Sequence, residues 1–487
     1  MLILSILFPV LLGLGILLKR EFPRRGALIA LTVAGLVGTA LLSLGTAFGA
    51  GTELMLFSLG KNLDLYFHVD DLGRFFALVV NVVWVLSGFY AFEYMKHEQE
   101  ESRFFGFYLM VHGVLQGLVF SGSMVTFYLF YELMTLLSVP MILHNRSKDA
   151  IKGGLKYLFY SLFGAYLVLF GLFFLNRFAL SLRFLPGGTL DLSAVAENEK
   201  LMLVVAFSMI LGFSVKAGMF PLHAWLPTAH PVAPAPASAV MSGIIVKMGV
   251  LGMIRVVFYL IGGDFLRGTW VQNVWMTLSL LTIFMGSMLA YREKILKKRL
   301  AYSTVSQASY ILFGLSLLQP AAMTGALLHV AFHGAIKACL FLSAGAIIYK
   351  THKTNAEELR GIGKEMPITI WCYTFASAAL IGIPPASGFI SKWYLALGSL
   401  SSGIEIFSWL GPVVLLISAL LTAGYLLPIT VNGFLPGAEF DYGSLKKREP
   451  NLTMLIPLVI LAALAVVLGI FPNPLANFLA DLADTIL

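Results

Sequence analysis

The chain has 487 residues, of which 59% are hydrophobic and 12% charged; a soluble domain carries about 25% charged residues. The formal net charge of +8 would by itself admit a nucleic-acid partner, but the placement of the charges, below, excludes one. Two cysteines in apolar segments, Cys339 and Cys372, with no CxxC pair, no Walker loop and no GxGxxG, leave no basis for an iron–sulfur, zinc or nucleotide site, so no cofactor and no metal are expected in this chain.

Apolar runs of about 18 residues or more, each able to cross a roughly 30 Å hydrocarbon core, recur from end to end. They are continuously apolar, which favours spanning helices over a barrel, whose strands would alternate in short segments. The first, MLILSILFPVLLGLGILL, has no basic stretch before it and reads as a retained helix. Fourteen spans are predicted: 2–18, 27–48, 72–95, 104–121, 123–143, 155–176, 201–219, 234–261, 270–291, 299–318, 321–349, 368–400, 408–431 and 452–471, followed by an amphipathic tail, LANFLADLADTIL. The expected organisation is helices 1–3 in 1–103, a first repeat of helices 4–8 in 104–261, a second of helices 9–13 in 270–431, and helix 14 with its tail in 452–487.

Lysine and arginine give the orientation. The loops after odd-numbered spans hold 22 of them, against six for the opposite side: Lys61, Arg74, Arg177, Arg183, Lys200 and Arg267. This bias places the odd-numbered loops in the cytoplasm and both termini outside. The positive charge is therefore a topology signal and not a nucleic-acid surface.

Within the spans stand Lys216, Lys247, Arg255, Lys337 and Lys392; Glu132, in YLFYELMTLL, is the acid near mid-membrane, while Glu93 lies close to a span end. Each such charge costs roughly 2.5–3.5 kcal/mol at the bilayer centre by insertion scales, so six would cost on the order of 15–20 kcal/mol if unpaired. They must pair, face water or lose their charge, and each of these describes a polar path.

Two spans are interrupted. Span 7 ends in FSVKAGMFPLHAWLPTAHP and span 12 contains IGIPPASGFISKWYL, each with Gly and Pro within a few residues of a lysine, Lys216 and Lys392. Pro removes a donor and Gly loosens the helix, freeing backbone groups. Broken helices at matching places in two halves point to a transport site between inverted repeats. The two breaks are five spans apart, which pairs spans 4–8 with spans 9–13.

Glu132 and Lys216 fall on helices 5 and 7; in contact, each would stabilise the charged form of the other. A proton arriving nearby would weaken the pair, and Lys216 could pass its own proton to Lys247 on helix 8. The plain alternative is a static salt bridge. Helix 11 reads HVAFHGAIK, with His329, His333 and Lys337 one above another on one face. That ladder suits a proton relay; zinc binding by the histidine pair lacks a nearby third ligand. Lys392 lies too far inside its span for its side chain simply to reach the headgroups. Arg255 stays protonated, so a structural or tuning role fits it better. His223 and His230, in a Pro-rich loop, could admit protons or simply pack there.

These residues resemble the antiporter-like membrane subunits of respiratory complex I, Mrp-type cation/proton antiporters, membrane-bound hydrogenases and formate hydrogenlyases. The resemblance is strongest in FYLFYELMTLLSVPMIL, VKAGMFPLHAWLPTAHPVAPAPASAVMSGIIVKMGV, LKKRLAYSTVSQASYI, HVAFHGAIKACLFLSAGAI and GIPPASGFISKWYL. It implies an all-α polytopic fold of fourteen helices with two inverted five-helix repeats and broken helices 7 and 12. It also implies a proton relay of Glu132, Lys216, Lys247, His333 and Lys392, with His329 as the alternative histidine; Lys337 and His223 are supporting candidates from the residues read above. Some members carry Glu where this chain has Lys392.

The expected protein is a proton-translocating subunit of a larger complex in the inner membrane. Protons would be taken up near helices 7 and 8 and leave past Lys392. Its partners would be other membrane subunits, antiporter-like neighbours among them. Peripheral iron–sulfur redox subunits would join them if electron transfer supplies the drive. The alternative is the D-type subunit of an Mrp-type exchanger, with Na⁺ as second cargo and no redox activity. Any redox site lies on another chain, so these residues do not make the subunit an enzyme by themselves.

Overall fold

The computed structural model describes residues 1–49, 53–60, 62–437, 440–441, 443 and 446–487; Lys61, one of the six outer charges, lies outside them. The apolar runs are helices, as they must be where the backbone has no water to bond. In chain order they are α1 (Leu2–Lys19), α2 (Arg25–Phe48), α3 (Asp71–Tyr94), α4 (Glu101–Val119), α5 (Met124–Ile142), α6 (Lys148–Phe178) and α7a (Glu199–Ala217). Then come α7b (Leu226–Val232), α8 (Ala235–Ile261), α9 (Trp270–Arg292), α10 (Leu296–Ser316) and α11 (Pro320–Thr351). The rest are α12a (Pro367–Ile381), α12b (Ser387–Leu400), α13 (Glu405–Phe434), α14 (Leu452–Ile470) and α15 (Asn473–Ile486).

Among the described residues, 11 of these helices are long and apolar enough to cross a membrane, where fourteen are expected. Those that fall short are α4, α10 and α12, and each has a polar reason. The first buries His112 and Gln116; α10 opens with Lys297, Lys298 and Arg299 and buries Ser303, Thr304, Ser306 and Gln307. The third is cut in two. All three stand where the sequence places them.

The two breaks share one backbone device. Gly218 ends α7a with φ 80° and ψ 31°, and Gly382 ends α12a with φ 92° and ψ 39°. Each donates its N–H to carbonyls three and four residues back, Val215 and Ser214 in one case and Ala379 and Ala378 in the other. This left-handed cap needs glycine because a Cβ would crowd the carbonyl. α8 is irregular in another way, with π-helical turns at Met241–Ile245 and Val257–Ile261, a feature frequent at functional sites.

The centre of the molecule is α8 and α11. The most apolar stretch of α8 is wholly buried and that of α11 nearly so, whereas α1, α2, α6 and α13 turn most of theirs outward. α11 has 32 residues, about 48 Å at 1.5 Å per residue, and packs against α3, α10, both halves of α12, α14 and α15. The amphipathic tail becomes α15 and buries Leu479, Leu482, Ala483 and Ile486. Cys339 and Cys372 are buried and unpaired as core residues. A hairpin unanticipated from the sequence, β1 (Glu53–Ser58) antiparallel to β2 (Asp64–His68), joins α2 to α3.

Candidate functional site

The first cluster lies between α5, α6 and α7a. Lys216 Nζ donates to Thr135 Oγ1 (2.7 Å), Tyr157 OH (3.1 Å) and Ser161 Oγ (3.1 Å), which uses all three donors of an ammonium. The rings of Tyr131 and Tyr157 flank it at 5.2 and 4.7 Å, adding cation–π attraction. Lys216 is 1% exposed. Glu132 is one turn before Thr135 on α5, on the side that carries the outward-facing Leu129 and Leu136. It forms no salt bridge with Lys216 in this structure, and its Oε1 has no hydrogen-bond partner. The cluster therefore holds a lysine satisfied by hydroxyls beside a carboxyl group whose Oε1 is unpartnered.

Gly249 brings α8 against α7a at this point. A methyl group there would lie 2.7 Å from Phe213 O and 3.0 Å from Lys216 Cβ, so only glycine allows the approach. Two residues earlier, Lys247 points into a second cluster. Its Nζ donates to Ser242 O (2.5 Å), in the widened turn, and meets His333 Nδ1 at 2.6 Å. Ser242 Oγ pairs in turn with Thr304 Oγ1 on α10 (2.7 Å). Lys216 and Lys247 are on packed helices but make no direct hydrogen bond.

From His333 the polar line continues along α11. The His329 ring stacks on His333 at 5.6 Å and 12°, and His329 Nδ1 meets Ser391 Oγ on α12b (2.9 Å). Tyr310 of α10 also stacks on His329, at 5.5 Å and 19°. Lys392 Nζ sits 5.0 Å from the centre of the same Tyr310 ring and donates to Leu380 O (2.6 Å) and Ile381 O (2.9 Å). Those are the last carbonyls of α12a, which attract a cation. The Nε2 atoms of His329 and His333 and both amide atoms of Gln307 are buried without a protein partner. Lys337, one turn from His333, branches the other way and donates to Leu300 O (3.0 Å).

The structure thus brings Lys247, His333, His329 and Lys392 into one line and leaves four expected members off it: Lys216 sits in its own cluster, Lys337 branches away, and Glu132 and His223 stand apart. Glu132 is near Lys216 without touching it. His223 lies in the break between α7a and α7b, stacked on Phe220, with no hydrogen bond to the other members. Among the described residues no group of three or more His, Cys, Asp or Glu side chains could hold a metal ion.

Several functional neighbours escape a reading of the sequence. Arg255 is 1% exposed and forms a bidentate pair with Asp70, Nη2 to Oδ1 at 2.7 Å and Nη1 to Oδ2. Phe184 and Tyr259 flank its guanidinium. Asp70 also caps α3 through Gly73 N (2.9 Å), so the pair ties α8 to the start of α3, a structural role. An aspartate at the mouth of a span looks like a solvent-facing cap; only its position as N-cap signals it. A second buried network, away from the lysines, joins His112 Nε2 to Asn81 Oδ1 (2.9 Å), Asn81 Nδ2 to Ser43 Oγ (2.9 Å) and Ser43 Oγ to Gln116 Oε1 (2.7 Å). It holds α2, α3 and α4 together by interhelical hydrogen bonds.

Comparison with known proteins gives the family and the fold. Residues 121–427 match a family described as NADH:quinone oxidoreductase/Mrp antiporter, TM. Residues 56–105 match NADH-Ubiquinone oxidoreductase (complex I), chain 5 N-terminus. The chain is 31% identical over 416 residues to NADH-quinone oxidoreductase subunit N of Desulforudis audaxviator, covering 83% of this chain and 81% of that one. It is 26% identical over 498 residues to the D-type subunit of the Na(+)/H(+) antiporter of Alkalihalophilus pseudofirmus, covering 100% and 97%. Its fold is similar to a chain of the Mrp complex from Dietzia sp. DQ12-45-1b, with TM-score 0.85, 20% identity and coverage of 100% and 97%.

Proposed function

The chain belongs to the NADH:quinone oxidoreductase/Mrp antiporter family of membrane subunits, and from that premise we propose that it moves protons through a relay of Glu132, Lys216, Lys247, His333 and Lys392. The observation that carries the proposal is the 2.6 Å contact of Lys247 Nζ with His333 Nδ1. Across so short a gap an ammonium can hand its proton to the imidazole, leaving a neutral amine and an imidazolium. The imidazolium can then release its other proton from Nε2, which no protein group engages. His329, stacked on His333, and Lys392 beyond it continue the route outward, and Lys337 and His223 serve the inward side. Glu132 sets the charge state of Lys216: paired, it holds the lysine protonated; apart, it lets the proton go on to Lys247.

The fourteen-span count and the two inverted repeats belong to the same reading. Matching glycine caps at Gly218 and Gly382, in helices five spans apart, support repeats at 104–261 and 270–431. The charge bias of the loops supports an inner-membrane subunit with both termini outside. Its partners would be further membrane subunits, and a redox module with iron–sulfur subunits would supply the drive by electron transfer. A second reading has a specific observation in its favour: the likeness to the D-type antiporter subunit runs over the whole of both chains. On that reading an existing ion gradient drives exchange with Na⁺ and no redox partner is present.

Mass spectrometry of the gently solubilised complex, purified through this chain, separates the two. Iron–sulfur and quinone- or hydrogen-reactive subunits are expected for a redox pump; a set of small membrane subunits alone would make it an exchanger. The relay itself is tested in liposomes, where Lys247→Met should abolish proton movement by the assembled complex. Undiminished proton movement would remove Lys247 from the path.

A further inference from the structure

One buried titratable group is used by none of the contacts above. His230, in α7b, is fully buried, and neither ring nitrogen has a hydrogen-bond partner. Its ring stacks on Phe341 of α11 at 4.7 Å and 20°, and Ser238 Oγ donates to its carbonyl (3.0 Å). Phe341 is four residues after Lys337, so the two share one face of α11. That stack seats the His230 imidazole one turn from Lys337, on the side away from His333. The charges that reach it are those of Lys297, Lys337 and Lys247.

Lys297, in the first turn of α10, stands between His230 and the end of the molecule that bears the basic loops. The residue is 7% exposed, and its ammonium donates to Pro231 O (3.2 Å) and to Ala233 O. It thereby closes the C-terminal end of α7b, next to His230. On its outer side is a cavity of about 190 Å³ whose walls include Lys297, Pro231, Ala233, Asn145, Glu98 and Thr354, room for several water molecules. Glu98 lies in the loop after α3 and forms no salt bridge with Lys297. Burial raises its carboxyl above the ordinary carboxylate range, against the opposing charges of Lys297 and His97. A carboxyl of that kind takes up and releases protons closer to neutral pH.

We propose that this cavity is the proton inlet of the relay, with Glu98 as collector, Lys297 as gate and His230 as the first internal acceptor feeding Lys337. Water delivers a proton to the Glu98 carboxylate. The carboxylic acid passes it through the cavity to His230, forming an imidazolium, and the imidazolium gives it to the neutral amine of Lys337. One proton moves in each step and no electrons are exchanged. Lys297 gates because its ammonium covers the way to His230 while it caps α7b, and swinging to an ionised Glu98 uncovers it. The proposal rests on the relay reading above and adds to it the place where protons come in.

The test uses the whole complex in liposomes and follows proton translocation, with assembly checked on native gels. Glu98→Gln and His230→Gln should each slow translocation at least fivefold, and Lys247→Met should abolish it. Rates within twofold of the parent for the first two, with Lys247→Met inactive, would overturn the inlet and leave the relay standing. Full translocation by Lys247→Met would overturn the relay and the inlet with it. Because His230→Gln can fail to assemble, Thr354→Cys provides a second measure on the cavity wall. Cys339 and Cys372 are buried, so a membrane-impermeant cationic methanethiosulfonate added on the basic-loop side reacts with the new thiol. Labelling should slow translocation at least fivefold; unchanged turnover after complete labelling would overturn the inlet.

Discussion

Lys216 and Lys392 each stand near one of the two helix breaks and are held in different ways. Behind both lies the same glycine cap, Gly218 in one and Gly382 in the other. Lys216 precedes its break and hangs in a ring of side-chain hydroxyls from α5 and α6. Lys392 follows its break and reaches back to the backbone carbonyls of Leu380 and Ile381. Hydroxyls rotate, and each can accept or donate; helix-end carbonyls only accept and stay where the fold puts them. The first arrangement suits a lysine whose charge is switched, with the free carboxylate of Glu132 alongside. The second suits the last site of a path, held in place by the fold. On the proposed relay one backbone device would serve two roles, decided by what surrounds the lysine.

Among the variants that bear on this pair of lysines, the largest expected effect is that of Lys216→Met, which removes the charge of the proposed switch. Proton translocation in liposomes should fall at least tenfold, about 1.4 kcal/mol or more in the barrier, with the complex still assembled. A small change would make the two lysines equivalent bystanders. Next comes Thr135→Val, which deletes the shortest of the three hydroxyl bonds to Lys216. A hydrogen bond to a charged group contributes about 1.5–3 kcal/mol; with Tyr157 and Ser161 still holding the ammonium about half of that is lost, so translocation should slow roughly threefold to tenfold. No side-chain substitution can do the same at Lys392, because its acceptors are backbone.

Smaller effects test the shared cap. Alanine in the left-handed region costs roughly 1–2 kcal/mol, so Gly218→Ala and Gly382→Ala should both lower the melting temperature of the solubilised protein. Gly218→Ala should lower it more, since its new methyl would lie 2.3 Å from Leu226 Cδ1, against 3.1 Å from Lys392 Cδ for the other. The reverse order would mean that the two breaks differ in their backbone after all. The smallest effect is expected from Ser391→Ala, which removes one bond to His329 Nδ1, about 1 kcal/mol. Translocation should change by no more than about fivefold, whereas a loss as large as that of Lys216→Met would place the switch on α12b.

What is legible in the sequence follows from cost. A lysine in an apolar run is expensive enough to be noticed, so Lys216, Lys247, Lys337 and Lys392 stand out, and Gly and Pro announce both breaks. Hydroxyls are cheap and common, so nothing marks Thr135, Tyr157, Ser161 or Ser391 as the partners of those groups. Asp70 hides as an ordinary helix cap, and its bond to Arg255 spans 185 positions of the chain. The π-helical turn that precedes Lys247 leaves no periodic trace in VMSGIIVKMG. Side-chain direction is equally silent. Glu132 is visible as a charge, but YLFYELMTLL is apolar all round, and no pattern in it tells which side of α5 faces Lys216. The helices that fall short of a spanning hydropathy are α4, α10 and α12, because serines, glutamines and lysines that line a protein interior lower the apolar signal.

The central claim is that Glu132 switches Lys216, and Glu132→Gln tests it most directly. The substitution keeps the size of the side chain and removes its charge. In liposomes containing the purified complex, the variant should assemble as the parent does and lose at least nine-tenths of its coupled proton translocation. Full translocation by the assembled variant would contradict the account and leave Glu132 a spectator beside a lysine that its hydroxyls hold unaided.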